Sequence, residues 1–83
     1  MRVDLKDWKN GWNGVEIALT LGEIDILIER LNMLKNDPDQ HFHVSSDYKS
    51  AGGIGDIEVY VKQPDQVENM WLGGKALLPG EEI

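Results

Sequence analysis

Apolar positions along this chain switch between a two-residue and a helical period. Val15-Glu16-Ile17-Ala18-Leu19-Thr20-Leu21 places Val15, Ile17, Leu19 and Leu21 on one face. Asp56-Ile57-Glu58-Val59-Tyr60-Val61-Lys62 does the same with Ile57, Val59 and Val61. Such alternation is the mark of a strand with one dry and one wet face. Val3-Asp4-Leu5-Lys6-Asp7 is a shorter example, and Gln40-His41-Phe42-His43-Val44-Ser45-Ser46 is another. These patterns predict strands over about 2–8, 15–20, 41–46 and 56–62.

Between the second and third strands the period changes. Ile24, Leu27, Ile28, Leu31 and Leu34 recur at helical spacing and predict the core face of a helix over about 21–36. Thr20 with Glu23 three residues later is a capping-box pattern. Glu23 and Asp25 near the start and Lys35 near the end suit the helix dipole. Pro38 pushes the residue before it out of helical geometry, so Asn36-Asp37-Pro38-Asp39 ends the helix.

Turn residues separate the elements. Asn10-Gly11 and Asn13-Gly14 predict a long, Trp-bearing loop that accepts positive φ. Gly52, Gly53 and Gly55 predict a turn between the last two strands. Residues 63–83, with Gly73-Gly74 and Pro79-Gly80, predict an irregular C-terminal tail with at most a short helical turn over 65–70. The order β-β-α-β-β predicts an α+β fold. In it, one helix packs on a four-stranded, mainly antiparallel sheet as a two-layer sandwich. The expected order places the last strand between the second and third; a mixed sheet with the second and third adjacent is the alternative. The whole chain, 1–83, reads as one domain without repeats or linkers.

With 83 residues, the chain has room for one modest core. No cysteine is present, which removes disulfide, thiol and zinc-finger chemistry and suits a reducing compartment. No apolar run approaches the roughly 20 residues that cross a bilayer, and no signal-peptide core stands at the start. A cytoplasmic protein is the expectation. Acidic residues number 15 against 8 basic, for a formal charge of −7. Nucleic-acid binding normally needs the opposite sign. An acidic surface suits either plain solubility or a basic protein partner.

Five features are candidates for a functional site. His41 and His43 share the wet face of their strand, and Glu58, Tyr60 and Asp56 are the expected cross-strand neighbours. His41, His43 and Glu58 could hold a divalent metal with positions left open; the bland alternative is a solvated strand face. Ser45, Ser46 and Asp47 supply triad residue types beside the histidines but lack a nucleophile elbow. Neither Ala51-Gly52-Gly53-Ile54-Gly55 nor Gly73-Gly74-Lys75 has the ending or the following helix of a phosphate loop. No cofactor is therefore expected. Trp8, Trp12 and Trp71 fall in or near irregular segments. They suit either core caps or interface anchors. Ile26 and Met33 are expected to point away from the core stripe, to be covered by Trp71, Leu72, Leu77 and Leu78, by a second copy in a homodimer, or by a foreign partner.

The helix Gly22–Leu34, the strand His41-Phe42-His43-Val44-Ser45-Ser46-Asp47 and the final strand Ile57-Glu58-Val59-Tyr60-Val61 together resemble a small immunity-protein family of bacterial polymorphic toxin systems. The resemblance covers about half of the chain and transfers no functional residue. It implies a non-catalytic protein that binds and neutralises a cognate toxin. The residues point the same way: small size, surplus acid and aromatic loops suit a protein-binding module using Trp8, Trp12, Ile26, Met33 and Trp71. The alternative is a small metal- or ligand-binding protein using His41, His43 and Glu58.

Overall fold

The backbone hydrogen-bonding demands of five segments organise the chain. The computed structural model describes residues 1–73. Strand β1 (Arg2–Asp7) pairs antiparallel with β2 (Asn13–Ala18), and helix α1 (Leu21–Asn36) follows. Strand β3 (His41–Ser45) then pairs antiparallel with β4 (Asp56–Tyr60). The class is α+β, as the patterns predict.

The pairing differs from the expected single sheet. The strands form two separate two-stranded ribbons, β1–β2 and β3–β4. Alternation reports which face of a strand is dry but not which strand lies beside it, so both arrangements satisfy the same pattern. β2 also begins earlier than expected. Asn13-Gly14 belongs to the strand rather than to the turn, and Gly14 lies opposite Lys6. The turn is made by residues 8–12, where Lys9 and Gly11 take positive φ of 56° and 93°. Gly11 takes that conformation without a Cβ clash, whereas Lys9 is held there by its backbone N–H donating to Asp7 Oδ1 at 2.8 Å.

α1 carries the expected capping box. Thr20 Oγ1 accepts from the Glu23 N–H at 3.2 Å, and the Thr20 N–H donates to Glu23 Oε1 at 2.9 Å. Glu23 Oε2 also accepts from the Met1 amine at 2.7 Å, which fastens the start of β1 to the first turn of the helix. The amine, more than the Thr20 bonds, lowers the Glu23 carboxyl to about 2.

Burial is thin. Leu34 is the one buried apolar residue among the described residues, at 5% exposure. Leu27, Phe42, Val44, Ile57 and Val59 are half-buried. They line an open apolar cleft of about 450 Å³ between α1 and the ribbons. Two narrow ribbons offer α1 less floor than a four-stranded sheet would. Ile24, Ile28 and Leu31, expected on the core face, therefore remain exposed. Ile26, expected to point away from the core, is 54% exposed and borders the cleft beside Leu27 and Leu31.

After β4 the chain makes a turn at Pro64-Asp65 and runs irregularly through residue 73. The helical turn expected over 65–70 does not form. No helix of the described residues is long and apolar enough to cross a membrane.

Candidate functional site

Two regions gather the candidate residues, and register explains the first. β3 and β4 pair His41 with Tyr60, His43 with Glu58 and Ser45 with Asp56. Side chains of directly opposed residues leave the same face of an antiparallel pair. His41, His43, Ser45, Asp56, Glu58 and Tyr60 therefore share one wet face, and Phe42, Val44, Ile57 and Val59 turn to the cleft.

On that wet face, one potential ligating atom each from His41, His43 and Glu58 lies within 4.8 Å of the others. The two imidazoles meet edge-on, with ring centroids 5.1 Å apart. Imidazole nitrogen and carboxylate oxygen are the donors that first-row divalent metals prefer. The structure thus brings together the three residues that alternation alone placed on one face.

Asp56 is more than a cross-strand neighbour of the histidines. Its Oδ2 accepts from His43 Nδ1 at 2.9 Å, and its Oδ1 accepts from the Ser45 hydroxyl at 2.8 Å. An ionised carboxylate can only accept, so Nδ1 carries the proton and Nε2 is the free nitrogen of His43. The hydrogen bond to Asp56 raises the His43 pKa, opposed by desolvation and helped by the charges of Asp56 and Glu58. The bond from His43, then that from Ser45, holds the Asp56 carboxyl below its usual range. Asp56 lies two residues from Glu58 on the same face of β4, and that spacing is the sequence signal that could have found it.

These contacts also bear on the triad residue types. In a Ser-His-Asp triad the imidazole lies between hydroxyl and carboxylate, so that it can take the hydroxyl proton. Here Asp56 lies between Ser45 and His43, so His43 is not placed to activate Ser45. Ser46 Oγ accepts from the Tyr48 N–H at 3.0 Å, and Asp47 Oδ1 accepts from the Lys49 N–H at 3.1 Å. Both shape the loop between β3 and β4. The glycines of that loop turn the hairpin: Gly53 takes a φ of 139°, and Gly55 leaves room for the Tyr48 ring.

The second region is the loop joining β1 to β2. The Trp8 N–H donates to the Trp12 carbonyl at 3.2 Å, and the Trp12 N–H donates to Asn10 Oδ1 at 3.0 Å. These bonds hold a tight five-residue loop with an indole at each end. The Trp8 ring lies over Gly14, where an added Cβ would stand 2.7 Å from Cζ2. Trp12 is 72% exposed.

The remaining candidates are dispersed. Ile26 borders the cleft, and Met33 lies beside Arg30, whose Nη1 donates to Met33 Sδ at 3.9 Å. Trp71 and Leu72 border a surface hollow with Lys62, Gln66, Val67 and Met70, not with any residue of α1. At 87% exposure, Trp71 does not cover Ile26 or Met33. Leu77 and Leu78, the other expected cover, lie outside the described residues.

Comparisons with protein-family models, with curated proteins and with solved structures find no match for this chain.

Proposed function

We propose that the protein is a non-catalytic protein-binding module, of the immunity type, which neutralises a basic toxin by docking through its acidic, Trp-bearing surface. The observation that carries this reading is the pair of exposed indoles on the 8–12 loop, Trp8 and Trp12. Water gains little from solvating a rigid indole, and tryptophan is the residue most enriched among interface hot spots. A core-capping role would bury these rings against apolar side chains. Here Trp8 rests on a glycine of its own hairpin, and Trp12 is largely in solvent.

Two further features support the reading. Leu5, Val15, Ile17, Ile24 and Ile28 are also exposed, so much of the apolar surface is left for another molecule to cover. The formal charge of −7 favours a basic partner and faster encounter at low salt. The resemblance to immunity proteins supplies the class of partner. A cytoplasmic location forms part of the proposal, in keeping with the lack of cysteine.

Co-expression with the product of a neighbouring toxin-like gene tests the proposal. A complex that co-elutes in size-exclusion chromatography, and survival of cells carrying both genes, are expected. No complex with any neighbouring gene product, together with no protection, would overturn it.

A further inference from the structure

We propose that the wet face of the β3–β4 ribbon binds one divalent first-row transition-metal ion through His41, His43 and Glu58. This site is separate from the docking surface and does not depend on it. The three ligands leave the ribbon on the face opposite Phe42, Val44, Ile57 and Val59.

Three observations meet at this site. Ligating atoms of the three residues already lie within 4.8 Å of one another. Metal bonds of 2.0–2.1 Å in a tetrahedral shell place ligating atoms roughly 3.3 Å apart. The shell therefore closes by modest side-chain rotation, which three exposed residues can make without disturbing a core. The pairing register is the second observation. His43 stands directly opposite Glu58, and His41 is two residues away on the same face, so the backbone sets the ligand spacing.

The third observation is the support behind His43. Metal-binding histidines usually donate their second ring N–H to a carboxylate, which fixes the tautomer and the ring plane. His43 does this toward Asp56, and Asp56 is itself held by the Ser45 hydroxyl. The carboxylate thus leaves Nε2 as the nitrogen offered to a cation. Two imidazoles and one carboxylate select zinc, nickel or copper over magnesium and calcium, which take all-oxygen shells. Three protein ligands leave a fourth position open to water, whereas structural zinc sites fill all four with protein ligands.

Calorimetric titration of the untagged full chain with zinc chloride tests the site, with magnesium chloride as control. One equivalent of zinc is expected to bind, and magnesium none. In the wild type, zinc is expected to shift the imidazole proton resonances of both histidines together, a reading that needs no variant. H43A and E58A are expected to lose the binding, with circular dichroism confirming that they fold. D56N keeps all three ligands and is expected to weaken zinc binding about 10–100-fold. W12A is expected to bind zinc as the wild type does, which separates this site from partner docking. Absence of zinc binding, binding only at millimolar zinc, or binding unchanged in H43A would overturn the proposal. Wild-type affinity in D56N would overturn the role given to Asp56.

Discussion

Thr20 and Glu23 hold each other at the start of α1, each accepting a hydrogen bond from the other's backbone N–H. The exchange satisfies two backbone donors that a helix start otherwise leaves to water. T20A removes one of these bonds. It is expected to lower stability by about 1 kcal/mol, measured by urea denaturation followed at the helical dichroism band.

The same carboxylate gives the protein an acid-sensitive fastening. The Met1 amine, then Thr20, lowers the Glu23 pKa from the ordinary 4.5 to about 2. A folded-state pKa below the unfolded one means that the contribution is fully present above about 4.5. It is lost as pH falls from there toward 2. Thermal melts between pH 2 and 6 are expected to show this loss in the wild type. E23Q is expected to start less stable at pH 6 and to lose less across the same range.

Leu34 is the most deeply placed apolar side chain among the described residues. Removing a buried leucine costs about 2–5 kcal/mol, which matches the roughly 3–5 kcal/mol that a core of this size supplies. L34A is therefore expected to be largely unfolded at room temperature, as read by circular dichroism. I28A, on a half-exposed position of the same helix, is expected to cost under about 1 kcal/mol.

Gly14 and Trp8 form a contact that a methyl group cannot share, at 2.7 Å from the built Cβ to Cζ2. Because the indole is a side chain at the loop, G14A is expected to swing the ring away rather than unfold the ribbon. A changed tryptophan emission maximum with a nearly unchanged melting temperature is the expected signature. A melting temperature lowered by as much as in L34A would count against it.

Trp12 offers the cleanest separation of folding from binding. Its ring packs on little, so W12A is expected to melt as the wild type does. Against the cognate partner it is expected to weaken binding by at least about tenfold, the loss typical of a hot-spot aromatic. Surface plasmon resonance at two salt concentrations checks both this loss and the slower association expected at high salt.

Local chemistry made much of this molecule legible in its residues. The capping box and the Pro38 stop place α1 over Leu21–Asn36, matching the expected 21–36, because both signals act within four residues of the helix ends. Alternation put His41, His43 and Glu58 on one wet face because the strand period is set by the backbone itself. What tertiary structure alone decided is how those elements meet. The two ribbons remain separate, Ile24, Ile26 and Ile28 all remain exposed although Ile26 borders the cleft, and Asp56 reaches diagonally to His43. Periodicity specifies the face a residue occupies; strand neighbours, helix rotation and cross-strand hydrogen bonds depend on contacts between residues far apart in the chain.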